Sequence, residues 1–309
     1  MSEMDRDQAI TKLEIEAARS DKALIGALSY LGTLSKPDFS DVEHGFQLPL
    51  MVLFGYSRER IKLGGRDRDL PEKIEGFFPN LPEASDWVSD TDLKHTVASF
   101  GFLNEITAKE NFTYPERKIV LSAIIAHDCA YPKTKDLSAF RSADTRLSHM
   151  RDGEAEFRNF ALKINSIFHG FYTPGDTEIV CSIIRQHDNP SVKIDGKNLE
   201  FSYNPPPEKL MWAHREADRL WMLDRGGFAL DLARRILETD PQYNPSDYLK
   251  HVISSHLKEA EKYPDQEKCI LYKGEKTLYR TKAGFEIFRR LLNERAKEYH
   301  ITAKPSVHP

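Results

Sequence analysis

The sequence predicts an all-α protein, a helical bundle with N- and C-terminal additions. Three observations carry that prediction. Apolar residues recur at helical spacing from about residue 90 onward, one stretch is apolar on nearly every face, and the clearest strand signal is one short hairpin near the C-terminus.

Residues 5–32 read as a helix through Leu13, Ile15, Ala17, Ala23 and Leu24 toward Gly32. Between Lys36 and Asp90 the pattern weakens, with Pro37, Pro49, Pro71, Pro79 and Pro82 as punctuation and a turn at Gly64-Gly65. That region reads as irregular structure wrapped on a core, or as a cap facing a substrate. Ser89 or Asp90 is placed to cap a helix through Leu93, Val97, Phe100 and Leu103. Pro115 and Glu116 then sit where a first helical turn favours them. The run from Ile119 to Ala126 is apolar all round, as in a helix buried in the middle of a domain, and it ends at His127-Asp128 before Pro132.

A stripe of Phe157, Phe160, Ala161, Ile164 and Phe168 predicts a helix over about 149–168, stopped by Gly170. Asp176 or Thr177 is placed to cap the next, whose apolar face of Ile179, Val180, Ile183 and Ile184 continues into His187. Residues 189–209 read as loop. Leu210, His214, Ala217, Asp218 and Trp221 share one side of a further helix, and residues 226–262 read as more helix. A hairpin of Cys269–Tyr272 and Thr277–Arg280 around Lys273-Gly274-Glu275 precedes a last amphipathic helix with Phe285, Phe288, Leu291 and Leu292. The expected organisation is an N-terminal extension (1–89), a central helical domain (90–225) and C-terminal helices with the hairpin (226–309).

At 309 residues and 40% hydrophobic, the chain is long enough for a sizeable core. Charged residues are 30% of the chain and the net charge is −4, which gives no electrostatic footprint for duplex nucleic acid or an acidic membrane. Cys129, Cys181 and Cys269 are few, scattered and odd in number, so neither a disulfide framework nor a thiolate zinc site is expected. The N-terminus has no apolar signal core, and a cytoplasmic location is the expectation.

The chemistry-bearing residues are the polar ones on apolar faces. His127 and Asp128 close the most hydrophobic helix, His187 extends an apolar stripe, and Asp218 shares a face with Leu210, Ala217 and Trp221. A carboxylate aimed into a core costs several kcal/mol, roughly, unless it is paired or bound to a metal. One such residue is accounted for by a hydrogen-bond partner. Several on successive buried helices point to a shared site. Imidazole nitrogen and carboxylate oxygen are natural ligands for zinc, iron and manganese.

The ordered set of His95, His127-Asp128, His149, His187 and Asp218 resembles the HD-domain superfamily of metal-dependent hydrolases. Its spacings are 32, 21, 38 and 31 residues, each suiting one ligand per helix. Ala217-Asp218-Arg219-Leu220 is similar to the family's final-ligand context. The resemblance covers about residues 90–225. It implies an HD-type helical bundle in which these six residues hold divalent transition metal, manganese or iron, as two ions. Asp128 would bridge them, and His149 and His187 would serve chiefly the second. The implied activity is hydrolysis of a nucleotide or other phosphoester by metal-activated hydroxide. The same ligand pattern also serves a di-iron oxygenase branch, and a non-catalytic nucleotide or metabolite sensor is the third reading. Where family members often carry a phosphate-contacting lysine, this chain has Tyr131. Lys133, Lys135, Arg185, Arg146 and Arg219 are therefore the candidate phosphate contacts. His214, four residues before Asp218 on the same face, is read as an outer partner, a proton carrier or ordinary packing.

Overall fold

The computed structural model describes residues 42, 44–64, 91–130, 143–188, 193–194, 197–198, 207–238, 242–262 and 266–301. The helix expected over 5–32 lies outside these residues, as do Lys133 and Lys135. Nine α-helices account for most of the described residues, as the apolar spacing predicts. They are α1 (His44–Gly64), α2 (Thr91–Lys109), α3 (Tyr114–Ala126), α4 (Ala143–Ile167), α5 (Pro174–Gln186), α6 (Glu208–Leu220), α7 (Arg225–Glu238), α8 (Pro245–Glu261) and α9 (Lys282–Glu298). No described helix is long and apolar enough to cross a membrane.

The chain forms two compact units that alternate in sequence. Among the described residues, the first draws on those between 42 and 64 and between 111 and 214, the second on those between 91 and 110 and between 215 and 301.

In the first unit α4 packs on α5, α5 on α3, and α1 on both α3 and α4. Every residue of α3 from Ile119 to Ala126 is buried, as its uniform apolar character requires. Helix α1 corrects the expectation of irregular structure over 44–64, while residues 65–90 lie outside the described residues. Pro49 stands inside it and removes one backbone donor, at a cost of about 3 kcal/mol for a helix interior. Against that, Phe46, Leu48, Leu50, Val52, Leu53, Phe54 and Tyr56 are all buried, at roughly 1.5–3 kcal/mol for each large apolar side chain. Burial outweighs the proline several times over. Ser57 on α1 donates to the Ile125 carbonyl of α3 (2.7 Å), and Tyr56 stacks on Phe160 of α4 (5.5 Å between ring centres).

Helices α3 and α5 are built alike. Each is 13 residues long, follows a threonine N-cap, has Pro in its first turn and closes on a histidine C-cap. Glu116 accepts from the Thr113 backbone N–H (2.7 Å), and Thr173 and Asp176 exchange two such bonds (3.1 and 2.9 Å). The cap of α5 is thus Thr173, not Asp176 or Thr177; Asp176 is the acidic third residue of a capping box. After α5 a short hairpin, β1 (Lys193–Ile194) with β2 (Lys197–Asn198), stands where loop is expected.

In the second unit α9 packs on α2 and α8. The expected C-terminal hairpin is present as β3 (Leu271–Tyr272) and β4 (Glu275–Lys276), with its second strand starting at Glu275, inside the expected turn, instead of at Thr277. Its two-residue turn has φ of 49° at Lys273 and 83° at Gly274, the left-handed pair that matches strand twist. The core here holds a histidine. His256 of α8 is fully enclosed, with Nδ1 3.1 Å from the Tyr279 hydroxyl and the Phe288 ring 5.4 Å away.

Burial pushes His256 down from 6.5 to about 4. Between those values the unfolded chain binds a proton that the fold refuses. Stability from this group is therefore complete above pH 6.5 and is lost as pH falls toward 4, by up to about 3 kcal/mol. Urea unfolding at pH 7 and pH 4.5 is expected to show a smaller acid loss in His256→Gln than in the wild type. Equal losses would remove His256 from the account.

Candidate metal centre

The first unit gathers His127, Asp128, His149 and His187, all buried. His127 and His187 hold equivalent places at the C-caps of α3 and α5. In both, Nδ1 lies against the carbonyl three residues back, Ile124 (2.8 Å) and Ile184 (2.7 Å). That bond fixes the proton on Nδ1 and leaves the Nε2 lone pair as the ligating position. His149 enters from α4. Gly153, one turn further along α4, permits the close approach: a Cβ there would meet the His127 carbonyl oxygen and Ile184 Cγ2, each at 3.2 Å.

His149 Nε2 and His187 Nε2 are 3.3 Å apart, and each is 3.6 Å from Asp128 Oδ1. The other carboxylate oxygen, Oδ2, is 3.3 Å from His127 Nε2. An ion bonded at about 2.0–2.1 Å to tetrahedral ligands keeps neighbouring ligand atoms roughly 3.3–3.4 Å apart. The Asp128–His149–His187 triangle fits that spacing, and its donor set of two imidazoles and a carboxylate fits a divalent transition metal. Burial, with His187 beside it, pulls His149 down to about 4, so the ring is neutral at pH 7, the form that ligates.

In the second unit His95 and Asp218 meet each other. His95 Nε2 is 2.8 Å from Asp218 Oδ1, with the two side chains 11% and 5% exposed. Trp221 stacks on the His95 ring (4.7 Å between centres, 19° between planes) and fixes its plane. Arg219 Nη1 lies 3.4 Å from Asp218 Oδ2, while its Nε donates to Glu259 at 3.0 Å.

The remaining sequence candidates fall as follows. Arg185 is bound to Glu154 of α4, which also accepts from Arg158 (3.0 Å), so its guanidinium belongs to an ion-pair network between α4 and α5. His214 is fully buried, its ring 5.3 Å from that of His127 and 5.8 Å from that of His187. It therefore packs against both of these histidines. Arg146, three residues before His149, pairs with Asp188 at 3.0 Å. Burial raises the Cys129 thiol far above its ordinary value, so this neighbour of Asp128 is a packing residue and not a thiolate.

No protein-family model matches the chain, and no curated protein or solved structure matches it either. The all-helical fold and a buried His/Asp cluster able to hold metal thus stand on the chain's own residues.

Proposed function

We propose that this chain is a metal-dependent phosphohydrolase, acting on a nucleotide or other phosphoester at a centre of two divalent ions. The observation that carries the reading is Asp128. One of its oxygens faces His149 and His187, the other faces His127, which is the arrangement of a carboxylate shared between two ions. His95 and Asp218 join the proposal as further ligands on the strength of their order in the sequence. Bound divalent ions would supply Lewis acidity toward phosphoryl oxygens and lower the pKa of water. The residues' own part is to present imidazole Nε2 atoms in fixed orientations, to hold Asp128 between them, and to keep bulk water from the buried ligands.

The protein is to be stripped with chelator, reloaded with manganese, iron or zinc, and subjected to elemental analysis. Uptake close to two equivalents is expected, with a rise in melting temperature because bound metal favours the native state. A phosphoester and nucleotide panel, run with and without oxygen, is expected to give anaerobic hydrolysis with manganese. Failure to take up any metal, with no change in melting temperature, removes the centre. Turnover that requires iron and consumes oxygen replaces hydrolysis by the oxygenase chemistry of the same ligand pattern. Metal uptake without turnover in either arm favours the sensor reading.

A further inference from the structure

The ion pair of Arg146 with Asp188 joins the same two helices as the His149–His187 contact, one helical turn away. Arg146 precedes His149 by three residues on α4 and so shares its face; Asp188 follows His187 at the end of α5. Asp188 is 7% exposed, and its charge is felt at His149. It occupies after α5 the place that Asp128 occupies after α3, yet it turns to a guanidinium.

Arg146 itself is poised between protein and solvent. Its side chain is 28% exposed, and Asp188 is its partner through a single nitrogen, Nη1. A guanidinium carries five N–H donors in a rigid fork, so most of that fork is uncommitted among the described residues. The pair is half-buried, so the attraction between its charges is set against the cost of desolvating them, and stability alone is little reason to place an arginine beside the buried histidines. Recognition of an oxyanion is the task for which a fixed, partly desolvated fork is suited. The other arginine near the cluster, Arg185, is tied to Glu154 and stands two residues from His187, about 200° around the helix from it.

We propose that Arg146, aligned by Asp188, is the residue that binds the phosphoryl oxygens of the substrate at the Asp128–His149–His187 centre. The inference rests on the phosphohydrolase reading for the identity of the anion. Arg146 supplies positive charge and direction from the protein side, and Asp188 fixes the direction of the guanidinium.

The test uses the full chain loaded with manganese, titrated calorimetrically with inorganic phosphate and, separately, with acetate. Wild-type protein is expected to bind phosphate more tightly than acetate. Arg146→Gln is expected to weaken phosphate at least tenfold with unchanged manganese content, and Arg146→Lys to fall between, retaining the charge without the fork. With any phosphoester that the wild type hydrolyses, Arg146→Gln should raise KM far more than it lowers kcat. Equal phosphate affinity in wild type and Arg146→Gln overturns the proposal. So does preference for acetate, absence of phosphate binding by the manganese-loaded wild type, or loss of manganese in parallel with phosphate. Arg146-dependent phosphate binding by a protein that hydrolyses no phosphoester keeps this inference and sinks the hydrolase. Hydrolysis whose KM ignores Arg146→Gln does the reverse.

Discussion

Asp128→Ala is expected to lower phosphoester turnover at least about 10³-fold and to leave the helical circular dichroism signal in place. Loss of a single electrostatic donor to a transition state already costs about 10²–10³, and Asp128 is proposed to serve two ions at once. Its removal also leaves His149 and His187 without the oxygen that lies 3.6 Å from each. Manganese content should fall below one equivalent. His187→Ala, by contrast, takes away one nitrogen of one triangle and should keep an equivalent. The stability comparison separates metal loss from misfolding. With manganese present the variant should melt below the wild type, because the wild type alone gains from bound ions. With chelator present the two melting temperatures should converge. Full metal content and full rate in Asp128→Ala would take this carboxylate out of the centre.

How far the site was legible in the sequence depends on what each residue's position costs. His127, Asp128 and His187 stand at the ends of apolar stripes, where a polar group demands a partner, and the structure buries all three. His149 is less conspicuous, since its helix starts earlier than the apolar stripe over 157–168 shows and runs from Ala143. Arg146, three residues before His149, and Arg185, two residues before His187, both read as candidate phosphate contacts. Helical geometry separates residues two apart by about 200°, while a spacing of three puts Arg146 beside His149.

The fold was legible where local patterns agree and illegible where tertiary burial overrides them. A helix that is apolar all round, such as α3, has one environment open to it. Pro49 reads as a breaker, and only the burial of its neighbours against α3 and α4 outweighs its lost hydrogen bond. The cap of α5 lies three residues before Asp176 and four before Thr177, and Asp176 reads as a cap because it bonds reciprocally with Thr173 in the capping box. The hairpin at 193–198 is two residues per strand, too short for an alternating pattern.

Glu216 escaped notice altogether, and its replacement is expected to have the largest effect on stability. Its carboxylate is fully buried in the second unit and accepts from the Arg280 backbone N–H (2.6 Å), the Thr281 backbone N–H (3.0 Å) and the Thr281 hydroxyl. Thr281 is the N-cap of α9, and its hydroxyl oxygen accepts in turn from the Gly284 N–H (2.9 Å). One carboxylate therefore anchors α6 to the start of α9 through the cap. Glu216→Ala leaves three part-buried donors without their acceptor, at about 1 kcal/mol apiece, so a loss of about 3 kcal/mol is expected. At roughly 2–4 °C per kcal/mol for a large domain, the melting temperature should drop by about 6–12 °C. Gly284 follows from the same geometry. A Cβ there would lie 2.2 Å from Glu216 Oε2 and 2.9 Å from Thr281 Oγ1, so Gly284→Ala must displace the carboxylate that the cap depends on. In an exposed helix the same change would stabilise by about 0.5–1 kcal/mol. Here it should destabilise, and the two substitutions should not add: once Glu216 is alanine, the nearer of the two clashes is gone and Gly284→Ala should cost much less. A double-mutant cycle by urea unfolding measures that coupling. Additive losses, or a Glu216→Ala variant as stable as the wild type, would show that the carboxylate is not what holds α9 in place.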